Sequence, residues 1–584
     1  MTLSATAPVV SYTGNGSTTA FSIPFQFYVV GDLIVTLNGV AQAVTTHYTV
    51  SGGNGATGTL TMVVAPAATA VLRIERFTAA TQSTSYAEAG AFPSASHEAA
   101  HDRTMMVAQE ARQKVLDRLA DDLSASTVRA TGGTVLRSLG ARFADEINVL
   151  EYGADPTGAA DSAPAFQAAI NAAAGRKVVA PLGTYLFNSG ITYSGPVHLE
   201  GHGMGAGPGA AQQDGACTRF LCNFTNPALF NITTNRPCIF RDFMIDVNPG
   251  FRPAGDGYGI RVAGGTATNA NTRIENVTFN NLRRGIVGFR PNWWTVQNCY
   301  FGGWTLDAIY FHTDASFEGS GGYVINNYFF GDPAVTQRAC ITTECGYTVI
   351  QNNEILGAQY GVFIQVRNYP AGYVRILDNT IEEQWFTGVY IAAPDTNDLA
   401  MVEISRNEFS ATVAGPATNY MGSVVIEDGP STRFWLDDLS ICDNTSRHVA
   451  PCANGVIRIG AGRTVQVARN IAENIGGGAL ARMVMVNGIT HNSALGGEII
   501  VADNIKRGTF TQVYEFAAIS PGVTLRDAMP MTVAQLPGNC RDGSIAFASD
   551  GRSTSSSDLT VRNGGTGAFV LRQAGVWRTP GFIP

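Results

Sequence analysis

Ile350–Ile355 reads IQNNEI and Ile376–Ile381 reads ILDNTI. The same phrase, an aliphatic residue leading into an Asn or Asp step, stands at Ile274–Phe279 (IENVTF), Val296–Phe301 (VQNCYF), Val324–Phe329 (VINNYF) and Ile404–Phe409 (ISRNEF). It thins to ICDN, VARN and VADN, ending at Asn444, Asn470 and Asn504. Counted from Val277 and Cys299 through Asn327, Asn353, Asn379 and Asn407 to those three, the intervals are 22, 28, 26, 26, 28, 37, 26 and 34 residues. A repeat of this length cannot bury its own apolar face and must stack on its neighbours.

Each phrase has strand character and strand length, and no repeat contains a long helical pattern. Strand, Asn turn, strand, turn at this interval winds into a parallel β-helix. With one strand spacing per coil, about ten to twelve coils extend on the order of 50–60 Å. Asn at the same turn of successive coils can form a hydrogen-bonded ladder, and Asn tolerates the left-handed conformation of tight corners. The long intervals imply loops leaving a coil, for example around Ala411–Gly422. The Leu-x-x-Leu-x-Leu and Trp-Asp signatures of other repeat folds are missing.

Composition fits this reading. Of 584 residues, 65 are Gly and only 14% are charged, as in a turn-rich β protein. A net charge of −8 argues against general nucleic-acid binding. Nine Cys without zinc spacing read as buried thiols rather than a disulfide framework. MTLSATAPVVSYTG lacks the basic and apolar regions of a secretory signal, and no apolar run reaches membrane-spanning length.

Before the repeats, residues 1 to about 95 alternate in short runs (FSIPFQF, LIVTLNGV, AVLRIERF) broken by turn signals such as Asn38-Gly39, which predicts a small β domain. A helix follows from about Ser96 to Leu123. Its residues Met105, Ala108, Val115, Leu116, Leu119 and Leu123 form one apolar stripe, to pack on the β domain or on copies of itself. Glu110 and Lys114 are a supporting i,i+4 pair. Residues 96–145 thus make a helix and neck. In NVLEYGADPTGAADSAPAFQAAINAAAGRKVVAPLGTYLF (Asn148–Phe187), a turn leads to a helix near residues 161–174, capped at Asp161 or Ser162, carrying Pro164 in its first turn and stopped by Gly175. From about residue 521, GSIAFASDGR, LTVRNGG, AFVLRQ and VWRTPGF read as a short β module.

Two stretches resemble known families. YTGNGSTTAFSIPFQFYVVGDLIVTLNGV, AVLRIERFT and HDRTMMVAQEAR resemble, in order, the N-terminal adaptor of short-tailed phage tail fibres, where this domain fixes a trimeric fibre to the virion. Asn148–Phe187 resembles the opening segment of the pectate-lyase-like right-handed parallel β-helix family, in which the helix plugs the open end of the coil and hides its edge. Together they imply a mainly β chain: adaptor domain (1–95), helix and neck (96–145), β-helix (146–520) and C-terminal β module (521–584). The resemblance further implies a homotrimeric phage tailspike in the virion tail, attached through phage tail or adaptor proteins. Made in the host cytoplasm, it acts on host capsule or lipopolysaccharide at the cell surface, with no nucleic acid, no membrane span and no cofactor.

A β-helix lines up outward side chains coil upon coil. Aligning GIVGF at Gly285, AIYFH at Ala308, ACITT at Ala339, GVFIQ at Gly361 and GVYIA at Gly388 gives an outward column Val287, Tyr310, Ile341, Phe363, Tyr390. Trp304, Tyr360 and Trp385 lie just upstream. Such a column suits stacking on sugar rings; trimer contacts or packing under loops are the alternative. Near it sit Asp307, His312, Asp314, Glu344, Glu382, Glu383 and Asp395. Glycoside hydrolysis needs two carboxyl groups, one protonated and one ionised, and neighbouring coils can supply the separation. Glu382–Glu383 with Glu344 form the leading candidate constellation, Asp307 and Asp314 the next; each alone is also consistent with a solvated surface acid. A polysaccharide lyase would instead use a base plus Arg283, Arg284, Arg338 or Arg367 against a uronic acid, with or without a metal. Binding without catalysis, and a purely structural tail role, are the further alternatives.

Two tempting motifs are set aside. His97-Glu98-Ala-Ala-His101 fits the zinc-protease pattern but lies beside a small β domain with no evident third ligand, so no metal site is expected. The Gly-rich Gly201–Ala210 opens no helix and lacks a nucleotide-site context.

Overall fold

The computed structural model describes residues 3–579 except 83, 86–89, 91, 121–125, 132, 206–216, 225–227, 249–256, 265–266, 315–319, 332–336, 366–370, 393–397, 412–420, 429–435, 449–454, 477–479, 488–497, 518–522, 553–559 and 563–566. Asp395, Arg367, Leu123, residues 412–420 of the 411–422 loop and residues 206–210 of the Gly-rich stretch therefore lie outside the described residues. The chain forms two compact units, Met1–Arg142 and Phe143–Pro584.

In the first unit the strands Val9–Thr13, Val71–Arg76, Leu33–Leu37 and Val40–Ala41 form one antiparallel sheet. Ala20–Phe27, Ala56–Met62 and Tyr48–Gly52 form another. Alternate residues Phe21, Ile23, Phe25 and Phe27 are buried with Leu33, Val35, Leu60, Leu72 and Ile74, the core the alternation predicts. The helix Ser94–Ala120 is held differently from expectation. Glu110 does not pair with Lys114 but is buried against Arg76, Oε1 to Nε at 2.8 Å, and accepts the Thr78 amide and hydroxyl. Arg76 also donates to the Gln26 carbonyl and to Gln109. Lys114 lies over the Phe77 ring at 4.5 Å. Met106 packs inward, while Met105, Val115 and Leu116 of the predicted stripe are exposed.

The second unit is a parallel β-helix within a 39-stranded hydrogen-bonded sheet. Its strands stack in three ladders. The first precedes the Asn turn. Its inner column Ile274, Val296, Val324, Ile350, Ile376, Ile404, Ile441, Val467, Val501, Leu525 pairs coil to coil and is fully buried. Each such side chain contributes about 1.5–3 kcal/mol by leaving water. The second ladder follows the turn, and inside it the rings of Phe279, Phe301 and Phe329 stack at 4.9 and 4.8 Å. The third ladder runs through Tyr258–Ala263, Arg284–Phe289, Asp307–His312, Ala339–Thr343 and the second halves of Glu354–Gln365 and Thr380–Ala392 to Gly422–Ile426 and beyond.

The turn between the first two ladders divides its work between adjacent residues. The first takes the left-handed conformation: Asn298, Asn326, Asn352, Asp378, Arg406, Asp443, Arg469 and Asp503 all have φ between 53° and 61°. The second is the buried rung. Asn327, Asn353, Asn379, Asn407, Asn444 and Asn470 each donate both the backbone and the side-chain N–H to the Oδ1 of the next Asn, at 2.9–3.1 Å. The last rung, Asn504, donates its amide to the buried Asp527.

The helix Ala163–Ala173 buries Phe166, Ala169 and Ile170 against Tyr185, Phe187 and Phe220. Asp161 Oδ1 accepts the Ala163 amide. In the preceding turn Asp155 accepts Thr157, Ala159 and Ala160 amides and the Thr157 hydroxyl, which hold its carboxyl down to about 2. Past residue 521, Val523–Met531 and then Ile545–Ala548 still add parallel rungs, after which Ala568–Gln573 and Val576–Arg578 pair antiparallel.

Candidate active site

The third ladder carries most of the candidate residues. Its outward column is Arg261, Val287, Tyr310, Thr342, Phe363, Tyr390, Val425, Arg458. Thr342, not Ile341, belongs to it. Ile341 pairs with Ile309 and Val362 and is fully buried. The slip arises at Ala339-Cys340, two adjacent small residues: Cys340, not Ala339, is the partner of Ala308 and Gly361 in register.

Glu344 leaves the strand one residue past Thr343 and is 4% exposed. Its Oε1 accepts the Tyr310 hydroxyl at 2.7 Å and its Oε2 meets His312 Nδ1 at 2.5 Å. Tyr310 and His312 come from one strand, two residues apart and so on one face. Burial, then the Glu344 charge, push the Tyr310 phenol well above its ordinary range. The His312 side chain is 33% exposed and connects this cluster to solvent. Two residues on, Asp314 pairs with Arg290 (Nε to Oδ2, 3.2 Å), and its side chain is also 33% exposed. Arg290 reaches it from a left-handed corner, φ 55°.

Asp307 is not at the surface. Its side chain is fully buried and binds Arg284 Nε at 3.0 Å, Arg338 Nε at 2.8 Å and the Thr342 hydroxyl at 2.8 Å. One carboxylate thereby fixes two guanidiniums, at 4.9 and 5.8 Å from the Tyr310 ring centre. Asp307 thus holds the two guanidiniums that flank Tyr310 and is itself closed off from solvent.

Beyond Thr342 the column continues as rings. Phe363 and Tyr390 stack at 5.7 Å with an interplanar angle of 4°. Tyr360 lies 5.1 Å from Phe363 and 5.0 Å from Tyr390. Phe386, absent from the sequence-based set, joins Tyr360 at 6.0 Å. Trp385 is half-buried at the irregular corner between the second and third ladders. Trp304 is corrected: it is 2% exposed, inside the core, with its ring edge on Phe329 at 6.3 Å. The strand Gly422–Ile426 ends like Ala339–Thr343, in a glutamate: Glu427 accepts the Tyr390 hydroxyl, as Glu344 accepts that of Tyr310. Burial, then that hydrogen bond, raise the Tyr390 phenol. The following Asp428 binds Arg458 at 2.9 Å.

The leading sequence constellation separates. Glu382 lies on the second ladder, in register with Leu356 and Ser410, while Glu344 ends a third-ladder strand. Glu383 takes φ 56° beside the irregularity that joins the two ladders. Burial, then Glu383, Glu408 and Glu354, raise the Glu382 carboxyl above its usual range. The structure instead brings together Glu344, His312 and Tyr310, with the Asp314–Arg290 pair two residues beyond His312.

His97 and His101 face each other, Nε2 to Nε2, at 3.0 Å. Among the described residues no three His, Cys, Asp or Glu side chains cluster as a metal site. No helix among them is long and apolar enough to cross a membrane.

Residues 1–123 match the family "Phage T7 tail fibre protein, N-terminal domain", and residues 146–363 match "Rhamnogalacturonase A/epimerase, pectate lyase-like". A region similar to the tail-fibre N-terminal domain thus precedes one similar to the pectate-lyase-like family. Solved structures similar to it include a tailspike protein of E. coli bacteriophage HK620 (13% identity, 79% of this chain and 90% of that one, TM-score 0.49). A second HK620 tailspike structure, in complex with a pentasaccharide, is 14% identical over 70% of this chain and 75% of that one, with TM-score 0.45. The A-module of mannuronan C-5 epimerase AlgE4 from Azotobacter vinelandii is 16% identical over 66% of this chain and 100% of that one, with TM-score 0.44. No curated protein matches the sequence significantly.

Proposed function

We propose that this chain, with its phage tail-fibre N-terminal domain, is a tailspike whose third ladder binds host-surface polysaccharide and hydrolyses it between Asp314 and Glu344. The observation that carries the reading is the Tyr310–Glu344–His312 cluster on a ladder whose outward column, one residue past Thr342, turns aromatic at Phe363 and Tyr390. From strand rise and coil spacing, the Cα atoms of Asp314 and Glu344 stand roughly 8 Å apart. Asp314, paired with Arg290 and partly exposed, is the carboxylate that activates water. The Glu344–His312 pair delivers the proton to the glycosidic oxygen through the exposed imidazole, while Glu344 fixes the ring's orientation. Tyr360, Phe363 and Tyr390 hold adjoining sugar rings by stacking. Trp385, Glu382 and Glu383 lie to the side and take no step.

The molecule attaches to the phage tail through its first unit and works as a homotrimer, with the exposed Met105, Val115 and Leu116 as helix-to-helix contacts. Capsule or lipopolysaccharide is the substrate class. The guanidiniums of Arg284 and Arg338 flanking Tyr310 favour one second reading, β-elimination on a uronic acid with Tyr310 as base. Chain length and ultraviolet absorbance of purified host polysaccharide after incubation separate the two. Shortening without a new double bond supports hydrolysis; shortening with one supports the lyase. No shortening with any glycan of the true host contradicts both.

A further inference from the structure

The first ladder carries a second row of rings at the corner where each coil begins. Trp293 stands opposite Gly321, between the pairs Asn292–Ser320 and Trp294–Gly322. Gly321 in turn stands opposite Tyr347, two residues before the pair Tyr323–Val349, and Tyr347 opposite Tyr373, one residue before Thr348–Val374. The row is therefore ring, small residue, ring, ring. The third ladder, in the same four coils, reads Tyr310, Thr342, Phe363, Tyr390, the same order. Coil by coil, Trp293 goes with Tyr310, Gly321 with Thr342, Tyr347 with Phe363 and Tyr373 with Tyr390.

The row is built. Trp293 is 48% exposed, and both Trp293 and Tyr347 hold left-handed backbone, φ 56° and 52°, which bulky residues seldom adopt. A side chain on Gly372 would run into the Tyr347 ring at 2.2 Å, so that glycine makes the seat for the ring. Tyr347 packs edge-on against Tyr373 at 5.0 Å, Arg375 lies over Tyr373 at 5.4 Å, and Trp293 meets Tyr323 at 6.3 Å. Gly321 leaves a gap one coil high between Trp293 and Tyr347. Tyr347 follows Glu344 by three residues, so this row borders the candidate active site across one short corner.

We infer that Trp293, Tyr347 and Tyr373 form a second, non-catalytic polysaccharide-binding strip, which holds the same polymer beyond the corner from Glu344. The inference rests on the polysaccharide reading above. Two rows with one ring order and one coil spacing present the same periodic set of faces, which a regularly repeating polymer can meet twice. Aromatic faces edged by Tyr hydroxyls suit the C–H faces and hydroxyls of pyranoses.

The test uses full-length protein carrying Glu344→Gln, so that polymer is not consumed. Affinity for purified host polysaccharide is measured for this parent, for the parent with Trp293→Asn and Tyr347→Asn, and for the parent with Phe363→Ala and Tyr390→Ala. Asn keeps the left-handed backbone while removing the ring. Thermal unfolding and light scattering check each variant's fold and oligomeric state. The strip predicts that the Asn pair weakens polymer binding by roughly tenfold or more with fold and oligomer unchanged. In the active background it predicts unchanged turnover of oligosaccharides too short to round the corner. Unchanged polymer affinity of the Asn pair, alongside weakened binding of the Phe363/Tyr390 variant, overturns the strip and leaves the catalytic reading standing. Dissociation of the oligomer by the Asn pair overturns it in favour of a subunit interface. A parent that binds no host polysaccharide overturns both.

Discussion

At the residue scale the decisive group is Glu344. Sequence placed it after a strand and among acids, but not beside Tyr310 and His312, because that contact depends on stacking coils whose lengths differ. A one-residue ambiguity at Ala339-Cys340 was enough to put Ile341 outside, and the long interval before Asn444 hid the parallel between Glu427 and Glu344. If Glu344 and His312 handle the proton, Glu344→Gln and His312→Gln each lower kcat for depolymerisation by roughly 10²–10⁴-fold with KM little changed. Steady-state kinetics on purified polysaccharide checks this, and a pure KM effect contradicts it. A second residue-scale expectation concerns His448, fully buried against the Ser423 hydroxyl at 2.9 Å, where burial holds its imidazole down to about 4. The unfolded imidazole titrates near 6.5, so between those values only the unfolded state takes the proton. Stability then falls as pH drops from about 6.5 toward 4, by up to ~3 kcal/mol. Denaturant unfolding across that range reads it as a difference: His448→Gln loses that part of the slope, and equal slopes contradict the account.

At the element scale the Asn turn was the most legible feature, because its repeat needs only local pattern. Sequence gave both jobs to Asn; the structure gives the left-handed corner to the first residue and the buried rung to the second. Arg406 and Arg469 can therefore occupy corners, each paired with the acid one coil earlier: Asp378 at 2.6 Å and Asp443 at 2.7 Å. The two positions have different costs. Asn379→Ala leaves the Asn353 donors and the Ile350 carbonyl buried without their partner, a loss of about 3 kcal/mol or more. Asn352→Ala only strains a corner and costs about 1 kcal/mol. Thermal or denaturant unfolding compares them, and equal losses contradict the division. The helix Ser94–Ala120 was less legible: an apolar stripe does not say which neighbour it serves, and here a buried ion pair, Arg76–Glu110, does the docking. Glu110→Ala strands that guanidinium and costs about 3–5 kcal/mol.

At the scale of the whole molecule, the two family matches fall on different parts of the chain, residues 1–123 and residues 146–363. The fold was readable because every coil repeats one pattern. The site was only half readable because its members meet across coils through loops of unequal length. If the exposed Met105, Val115 and Leu116 are helix-to-helix contacts, light scattering of the full chain should find a homotrimer that Val115→Lys with Leu116→Lys weakens; a monomeric parent contradicts this. The central claim is that the third ladder cuts polysaccharide through Glu344. Its most direct test is size-exclusion chromatography of purified host polysaccharide incubated with the full chain or with Glu344→Gln. The account predicts progressive shortening by the full chain and bound but uncut polymer with the variant. Equal shortening by both, or polymer bound yet uncut by the full chain, contradicts it.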